Sequence, residues 1–349
     1  MGKVTAVILA AGMGTRMKSE LVKVLHPLLG RPMLAHVVET VRAAGVDRTV
    51  VVVGYQADQV RQAIQEPVEF VDQPEQLGTG HAVMQAEKLL TGFAGVVLVT
   101  YGDTPLYLPQ TYRSLIERHV SSGAKATLLS TFVDDPTGYG RVVRDPGGGF
   151  REIIEQKDIA SPEVESIREI NTGTYCFDAL SLFAALRGIR NDNRQGEYYL
   201  TDVLKSLKEQ GERVQVEVLP DATEALGIND RKQLAQAEKI LKRRVLDRLM
   251  ESGVTIVDPD ATYIHDSVKI GRDSVIYPFT SIEGETVIGE GCRIGPNARI
   301  VDSKLGNGVT VDASSIYEST VHDRASIGPH IFVPPGSEVR EGKIIDRQW

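Results

Sequence analysis

The 349-residue sequence contains little cysteine, no excess of positive charge and no long apolar run. Its two cysteines, Cys176 and Cys292, are too few for a disulfide framework or a cysteine-rich zinc cluster. The 39 Lys and Arg residues are outnumbered by 47 Asp and Glu residues, and the formal net charge of −8 disfavours binding to nucleic acid or an anionic membrane. No apolar run approaches the roughly 20 residues of a transmembrane helix. The N-terminal apolar run continues into a polar glycine loop without a signal-peptide cleavage pattern. These absences predict a soluble protein of the reducing cytoplasm.

The first 229 residues alternate short apolar runs with amphipathic stretches of helix length. The strand-length runs cover residues 4–9, 49–53, 68–71, 96–100 and 126–130, and the intervening predicted helices cover 33–44, 57–64, 80–90 and 111–121. Repeated βαβ units predict an α/β fold with a doubly wound, mostly parallel, Rossmann-like sheet whose ligands bind beyond the carboxyl ends of the strands. The fully apolar run at 96–100 is predicted to be a central strand that is buried on both faces.

Residues 230–253 have the composition of a connecting helix, which Gly253 ends. Its short basic run, Lys242 to Arg244, is interpreted as a solvated helix face, with a nucleic-acid patch as the alternative. From residue 254 onward an aliphatic residue recurs at every sixth position, interrupted over residues 304–311; these positions are Ile264, Ile270, Ile276, Ile282, Ile288, Ile294 and Ile300, and then Val321, Ile327, Val333, Val339 and Ile345. This period predicts a hexapeptide-repeat, left-handed parallel β-helix over residues 254–349, shortened to four or five coils. We expect it to assemble and stabilise the protein, with Trp349 covering its last coil.

A glycine loop with the sequence LAAGMGTRM, residues 9–17, follows the first predicted strand. It is not a dinucleotide fingerprint, because Met17 occupies the third glycine position, and it lacks the Gly-Lys-Ser/Thr of a Walker A loop. Backbone N–H groups at a strand end, together with Arg16 and Lys23, can bind a polyphosphate. The alternative is an ordinary turn between a strand and a helix.

The tripeptide Tyr101-Gly102-Asp103 ends the predicted central strand. A carboxylate at this position can hold Mg²⁺ together with substrate phosphates. The alternative is that Asp103 caps the segment that follows it.

Further motifs follow in order along the chain. They are DQPEQLGTGHA (72–82), DDPTGYGR (134–141), EQKD (155–158), EINTG (169–173), QGEYYLTD (195–202) and GIND (227–230). The ordered set resembles the sugar-1-phosphate nucleotidylyltransferases, whose shared signature is LAAGMGTRM with the downstream lysine. The finer resemblance is to the bifunctional members that acetylate glucosamine 1-phosphate and uridylylate N-acetylglucosamine 1-phosphate, and it covers the chain to Val339.

This resemblance implies a role for each matching residue. The uracil of UTP would be held by the backbone of Leu9, Ala10, Ala11 and Gly12 and by the side chain of Gln73, with Gly78 and Thr79 closing the pocket. Gln73 can donate and accept at once, which suits the imide edge of uracil. The sugar side would be lined by Tyr101, Gly140, Glu155 and Asn171, and Gly102 would also belong to the substrate-binding residues. Glu155 would accept from sugar hydroxyls, and Asn171 would serve the acetamido group.

The resemblance also implies a reaction without a general base. Asp103 and Asn229 would bind Mg²⁺, Lys23 would neutralise the α-phosphate of UTP and Arg16 the departing pyrophosphate. The attacking sugar phosphate is already mostly dianionic, since its second pKa is about 6. The protein must therefore supply alignment and electrostatic stabilisation for in-line attack on the α-phosphorus.

Two positions depart from the family signature, and two expectations depend on the second half of the chain. Val22 stands where the family normally has proline, and Met13 where it often has a basic residue. The resembled family is trimeric through its β-helix, so we expect a homotrimer. We expect no acetyl transfer, because His322 and His330 precede the family's lysine-rich stretch, which is absent. The alternatives are transfer to another sugar or from another nucleotide, and a catalytically weak regulatory or scaffold protein.

Overall fold

The computed structural model describes residues 2–346, so the expectation for Trp349 lies outside the described residues. The chain forms two compact units. One unit contains the residues up to His26 together with Arg31–Leu234, and the other contains Pro27–Gly30 and the residues from Ala235 onward. This division falls inside the helix Arg231–Glu251, which occupies most of the predicted connecting segment 230–253.

The first unit is built on a nine-stranded, mostly parallel sheet, which confirms the predicted α/β class. Seven strands form its main path in the spatial order Val214–Val218, Ala126–Phe132, Glu169–Asp178, Val96–Tyr101, Val4–Leu9, Arg48–Val53 and Glu69–Asp72. Glu169–Asp178 runs antiparallel to both of its neighbours in this path. A hairpin of Arg141–Arg144 and Phe150–Ile154 extends the sheet beside it.

The two central strands, Val4–Leu9 and Val96–Tyr101, are adjacent and parallel. All six residues of the first and all but Tyr101 of the second are buried, because helices cover both faces of the sheet. Their side chains belong to two separate hydrophobic clusters, one on each face. The carboxyl ends of both strands therefore lie at one edge, where the predicted ligand-binding loops begin.

Helices occupy the predicted segments of the first unit with small shifts at their ends. The α-helices are Met33–Ala43, Ala57–Ala63, Thr79–Gln85, Pro109–Ser122, Pro162–Glu165, Ala179–Leu186 and Thr201–Glu209. Short 3₁₀ helices cover Thr15–Met17, Lys23–Leu25, Ala86–Leu90, Gln156–Asp158 and Ala222–Ala225, and a short strand covers Arg31–Pro32. The short strand Pro27–Leu28 belongs to the second unit. The prediction of one helix over 80–90 was wrong in its second half, which tightens into the 3₁₀ turn Ala86–Leu90. Such tightening is common at helix C-termini.

The second unit contains three stacked parallel sheets, consistent with the predicted left-handed β-helix. The sheets have six, five and five strands, each of two or three residues. In chain order the strands are Thr255–Ile256, Tyr263–Ile264, Lys269–Ile270, Val275–Ile276, Ser281–Glu283, Val287–Ile288, Arg293–Ile294, Arg299–Val301, Lys304–Leu305, Thr310–Val311, Ser315–Tyr317, Thr320–Val321, Ser326–Ile327, Phe332–Val333, Glu338–Val339 and Ile344–Ile345. The predicted aliphatic positions are buried, except that Ile270 is partly exposed.

The interruption of the six-residue period does not interrupt the β-helix. Ile288 aligns with Leu305, Ile294 aligns with Val311, and Ile300 aligns with Ile316. Leu305, Val311 and Ile316 are all buried, so the stack of inward aliphatic side chains is continuous. The period shortens from six to five residues at three steps, 300–305, 311–316 and 316–321. The corner in each of these steps contains one residue at positive φ; these residues are Asp302, Ala313 and Glu318.

Both cysteines are unpaired and buried in the cores, Cys176 in the first unit and Cys292 in the second. Among residues 2–346, no helix combines the length and the apolar character required to cross a bilayer.

Candidate active site

Loops that follow the carboxyl ends of three parallel strands of one sheet surround a cavity of about 320 Å³ in the first unit. The strands are Val4–Leu9, Glu69–Asp72 and Val96–Tyr101. The cavity is lined by Leu9, Ala10, Ala11, Gly12, Lys23, Val24, Gln73, Gln76, Gly78, Thr79, Ala82, Tyr101, Asp103, Glu197 and Asn229. Residues that are more than 200 positions apart in the sequence therefore share one cavity.

The backbone of the glycine loop is anchored at its start and open further along. The Ala10 N–H donates to the Val52 carbonyl over 2.9 Å, and the Leu9 carbonyl accepts from the Gly102 N–H over 2.9 Å. Among the described residues, the N–H groups of Ala11 and Gly12 donate to no protein acceptor. The loop therefore offers two backbone donors to a ligand in the cavity.

Lys23 lies between the two residues predicted to bind a metal ion. Its Nζ forms an ion pair with Asp103 Oδ2 and lies 3.2 Å from Asn229 Oδ1. The side chains of Lys23 and Asp103 are each only 14% exposed. Three charged or polar groups, supplied by distant parts of the chain, thus meet at one point of the cavity.

Local backbone contacts hold these three residues together. The Ile228 N–H donates to the Asp103 carbonyl over 2.9 Å, so the Asn229 segment is attached directly to the end of the central strand. Lys23 begins the 3₁₀ helix Lys23–Leu25, and its Cβ lies against Gly14. A Cβ atom on Gly14 would lie 2.5 Å from the Lys23 Cβ, and Gly14 has a φ of +63°, so glycine is required at this position of the loop.

The donor set at this point suits a hard divalent cation that is also bound by substrate. No group of three His, Cys, Asp or Glu residues within residues 2–346 has the geometry of a metal site. The oxygens of Asp103 and Asn229 nevertheless converge on one cationic group, the Lys23 ammonium. Mg²⁺ is often held by one or two protein oxygens, with phosphate oxygens and water completing its six ligands.

The loop that follows Glu69–Asp72 forms the opposite wall of the cavity. Gln73 is only 4% exposed, and its Nε2 donates to the Gly78 carbonyl over 3.1 Å. Gly78 has a φ of +107°, and a Cβ atom there would lie 2.6 Å from the Tyr198 carbonyl oxygen, so no other residue fits this position. The Leu200 N–H also donates to Thr79 Oγ1 over 3.0 Å, which attaches this loop to the 195–202 motif.

Tyr101 links the cavity to the residues predicted to bind the sugar. Burial, with smaller contributions from the Glu155 and Asp103 carboxylates, raises the pKa of the Tyr101 phenol above its ordinary value, so the hydroxyl stays protonated. Its ring packs against Gly173, where a Cβ atom would lie 2.4 Å from a ring carbon. The Gly173 N–H donates to Asn171 Oδ1 over 3.1 Å, and Asn171 Nδ2 donates to the Tyr175 hydroxyl over 2.7 Å.

Glu155 and Gly140 are the remaining residues that were predicted to bind the sugar. The Asn171 N–H donates to the Gly140 carbonyl over 2.9 Å, and Thr201 Oγ1 donates to Glu155 Oε1 over 3.1 Å. Burial raises the pKa of the Glu155 carboxyl. A Cβ atom on Gly140 would lie 3.3 Å from Glu155 Oε2, so the two residues are in close proximity.

The structure brings most of the predicted site residues to the cavity wall. Eleven of them line it, namely Leu9, Ala10, Ala11, Gly12, Lys23, Gln73, Gly78, Thr79, Tyr101, Asp103 and Asn229. Gly140, Glu155 and Asn171 lie outside this wall, connected to it through Tyr101 and Gly173. Gly102 is buried behind the wall against Leu34, Val24 and Ala10, and Arg16 is exposed in the 3₁₀ helix Thr15–Met17.

Sequence reasoning missed several residues around the cavity. Val24, Gln76, Ala82 and Glu197 also line it, and three of these, Gln76, Ala82 and Glu197, lie within the motifs at 72–82 and 195–202. Arg231 was missed as well. It donates to the Met17 carbonyl over 3.2 Å and lies 3.3 Å from His26 Nδ1, so it attaches the end of the glycine loop to the GIND segment. Its position directly after GIND was the only signal in the sequence.

Comparison with known proteins gives matches over nearly the whole chain. Residues 6–152 match the family model of the MobA-like NTP transferase domain, and residues 267–301 match the bacterial transferase hexapeptide model of six repeats. The chain is 50% identical over 350 residues to the bifunctional protein GlmU of Geobacillus sp. strain WCH70, covering 99% of this chain and 76% of that protein. It is 52% identical over 345 residues to the same-named protein of Pelotomaculum thermopropionicum, covering 98% and 75%. With the protein of that name from Shouchella clausii it shares 49% identity over 336 residues, covering 96% and 74%.

Proposed function

Since the chain belongs to the GlmU family of sugar-1-phosphate nucleotidyltransferases, we propose that it transfers the uridylyl group of UTP to N-acetylglucosamine 1-phosphate. The products are UDP-N-acetylglucosamine and pyrophosphate. The supporting observation is that one cavity contains three features together. These are the open backbone donors of Ala11 and Gly12, the buried amide of Gln73, and the contact of Lys23 with Asp103 and Asn229.

In this proposal the uracil base occupies the wall formed by the glycine loop, Gln73 and Gly78. Uracil presents a carbonyl, a ring N–H and a second carbonyl along its imide edge. The free N–H groups of Ala11 and Gly12 can donate to a carbonyl, and the amide of Gln73 can accept from the ring N–H. Thr79 and the helix that begins with it close this end of the cavity.

The triphosphate extends from the base toward Lys23 and Asp103. Lys23 neutralises the α-phosphate as the attacking oxygen approaches, and Arg16, which is exposed near the end of the glycine loop, reaches the departing pyrophosphate. A divalent ion, Mg²⁺ in our proposal, held by Asp103 and Asn229 would reduce the repulsion between the two anionic substrates. The residues act by positioning and electrostatic stabilisation, which is how phosphoryl-transfer enzymes gain most of their rate.

The sugar phosphate enters from the side of Tyr101. The protonated Tyr101 hydroxyl, the Glu155 carboxyl group and the Asn171 amide belong to the residues that are connected to the cavity through Tyr101 and Gly173. We propose that Glu155 accepts hydrogen bonds from sugar hydroxyls, that Asn171 contacts the acetamido group, and that Gly140 allows the sugar to approach the backbone. Gly102 contributes by close packing behind the wall.

Pyrophosphate release tests this proposal directly. Each of the four nucleoside triphosphates is paired with N-acetylglucosamine 1-phosphate, glucosamine 1-phosphate and glucose 1-phosphate in the presence of Mg²⁺. We expect UTP with N-acetylglucosamine 1-phosphate to give the highest kcat/KM. A higher value for any other pair would contradict the substrate assignment. No release from any pair would support a regulatory or scaffold role instead.

We also propose that the protein acts in the cytoplasm, where its nucleotide substrate is found, and that the second unit assembles three copies of the chain. Large apolar side chains are exposed on this unit, including Phe279 at 70%, Ile344 at 67% and Phe332 at 49%. Burial in an assembly would remove them from water. Light scattering of the full chain should give the mass of a trimer, and a monomer at working concentration would contradict this assignment.

We propose finally that the 349-residue chain transfers no acetyl group. His322 is hydrogen-bonded through Nε2 to Glu338 on an exposed face, and His330 is exposed at a corner with positive φ. Neither has the arrangement expected of a general base that contacts a bound amine. Incubation with acetyl-CoA and glucosamine 1-phosphate should release no thiol above background while uridylyl transfer proceeds. Thiol release at a comparable rate would contradict the proposal.

A further inference from the structure

A histidine beside the cavity lies between two side-chain amides. His81 is half-buried in the helix Thr79–Gln85, and its Nδ1 lies 3.2 Å from Gln73 Nε2. On the other side of the ring, His81 Nε2 lies 3.1 Å from Gln85 Nε2, one helical turn further along. Gln85 is itself held by its hydrogen bond to the His81 carbonyl over 3.0 Å.

The surroundings of Gln73 determine which end of its amide faces the cavity. Its Nε2 lies 3.1 Å from the Gly78 carbonyl, which can only accept, and this contact requires the amide nitrogen rather than the oxygen. The second hydrogen of Nε2 points toward His81 Nδ1. Gln73 lines the cavity, and among the described residues nothing donates to its Oε1. The amide oxygen is therefore the group that Gln73 offers to a ligand.

We propose that His81 is a positioning residue that fixes the amide of Gln73 and thereby selects the nucleobase. This inference rests on the proposed function, in which the base of the nucleotide contacts Gln73. An amide oxygen accepts from a base that carries a ring N–H on its pairing edge, as uracil does at N3. Cytosine has an unprotonated, accepting nitrogen at the same position and would face Gln73 Oε1 with no hydrogen between them. Such unpaired polar groups are costly in a buried site.

Both ring nitrogens of His81 face amide nitrogens, but a neutral imidazole has only one accepting nitrogen. We assign that nitrogen to Nδ1, because the Gly78 carbonyl fixes the orientation of the Gln73 amide. The proton then lies on Nε2, and Gln85 accepts it by turning its amide oxygen toward the ring in place of its contact with the His81 carbonyl. If the accepting nitrogen were removed, Gln73 would lose one of its two restraints. Its amide could then rotate to present NH₂ to the cavity, which would suit cytosine.

Two substitutions at the same position separate these roles. His81→Asn places an acceptor near the position of Nδ1 and keeps a partner for Gln73. His81→Gln places its polar atoms near the position of Nε2 and leaves Gln73 without that partner. His119→Asn is a matched control, because His119 is a buried histidine that contacts Thr127 Oγ1 over 3.0 Å and lies outside the cavity wall.

The measurement is the ratio of UTP to CTP affinity, obtained by calorimetric titration of each nucleotide with Mg²⁺, with the melting temperature of every variant recorded alongside. We expect His81→Gln to reduce the ratio about tenfold, the equivalent of one lost hydrogen bond of roughly 1.4 kcal/mol. His81→Asn should stay within about threefold of the original protein, as should His119→Asn. Loss of stability without a change in ratio would be the signature of a merely structural role.

Two outcomes would overturn the inference. One is an unchanged ratio in His81→Gln, and the other is equal affinity for UTP and CTP in the unmodified protein. Failure of the proposed function is recorded separately by pyrophosphate release. A protein that binds UTP in preference to CTP, loses this preference in His81→Gln, and releases no pyrophosphate would support the role of His81 and contradict the proposed reaction.

Discussion

Lys23 forms an ion pair with Asp103, across 80 positions of the sequence, and the same ammonium group lies 3.2 Å from Asn229 Oδ1. The two oxygens that we propose as metal ligands are thus occupied by a cation that the chain itself supplies. A divalent ion held by Asp103 and Asn229 would take the place of the Lys23 ammonium at this point. Lys23 would then be free to contact the α-phosphate of the nucleotide.

Removal of the Lys23 ammonium should change metal binding and turnover in opposite directions. We expect Lys23→Ala to bind Mn²⁺ about tenfold more tightly in the absence of nucleotide, because a charge-assisted contact no longer competes for Asp103. The same variant should lower both kcat and kcat/KM, the pattern of a lost transition-state contact. Calorimetry and steady-state kinetics measure the two effects.

Lys88→Ala is the control for Lys23→Ala, since Lys88 is an exposed lysine in the 3₁₀ helix Ala86–Leu90. It removes the same charge from the protein without touching the cavity and should leave both measurements unchanged. Unchanged Mn²⁺ affinity in Lys23→Ala would show that the lysine does not compete with the ion. A rise in the KM for UTP alone would make Lys23 a ground-state binding residue.

Asp103→Asn should abolish most of the metal-dependent activity. Asparagine keeps the size of the side chain but removes the negative charge that attracts both Lys23 and a divalent ion. We expect turnover to fall at least about a hundredfold, with Mn²⁺ affinity reduced in the nucleotide-bound protein and circular dichroism unchanged. Near-normal turnover in Mg²⁺ would remove Asp103 from the metal site.

The sequence carried enough information to predict the strands and the glycine loop, because both depend on local patterns. The apolar runs that became Val4–Leu9 and Val96–Tyr101 have the composition of strands buried on both faces. The order of the motifs along the chain then indicated which loops lie together around the candidate active site. The five-residue steps of the β-helix were not predicted, because the six-residue period does not indicate at which corner one residue is lost. A corner residue at positive φ that is not glycine does not mark these steps either, since Asp273 and Phe279 adopt it in six-residue steps.

The finer contacts of the site were also beyond prediction from the sequence. Arg231 reaches the Met17 carbonyl across more than 200 positions, and no spacing rule relates the two residues. The orientation of the Gln73 amide depends on one carbonyl and one histidine ring, which only the folded loop places beside it. Motifs therefore predicted most of the residues that line the cavity, whereas the three-dimensional structure was needed to show which atoms they present.

Substitution of Glu155 should reveal a conflict between stability and binding. Burial raises the pKa of the Glu155 carboxyl, so the folded protein retains this proton to a higher pH than the unfolded chain does. Ionisation of Glu155 therefore destabilises the fold. This loss of folding free energy is absent below the pKa of the Glu155 carboxyl in the unfolded chain. It grows as the pH rises through the pKa of the same carboxyl in the folded protein. Glu155→Gln should melt above the original protein at pH 8 and together with it near pH 4.

The same variant should bind the sugar phosphate less well. A neutral amide accepts hydrogen bonds more weakly than a carboxylate, so we expect the KM for N-acetylglucosamine 1-phosphate to rise about tenfold while the KM for UTP changes little. Glu20→Gln is the control, because Glu20 is exposed and has no ion pair among the described residues. A melting temperature of Glu155→Gln below that of the original protein at pH 8 would contradict the conclusion that ionised Glu155 destabilises the fold.

Val22→Pro restores the residue that the family normally has before the lysine, and the local geometry accommodates it. Val22 has a φ of −54° and a ψ of 135°, and its N–H donates to no acceptor within residues 2–346. Proline fixes φ near −65° and has no N–H, so neither of its constraints conflicts with this position. Restricting the unfolded chain should stabilise the protein by about 0.4–1 kcal/mol, seen as a higher melting temperature.

Val22→Ala is the control and should be less stable, because the Val22 side chain is only 1% exposed and its packing would be lost. We also expect Val22→Pro to raise turnover, since a stiffer chain before Lys23 limits the positions of its ammonium group. Lower stability of Val22→Pro would show that the ring clashes with its neighbours, and unchanged turnover in a stabilised variant would show that Val22 costs the protein no activity.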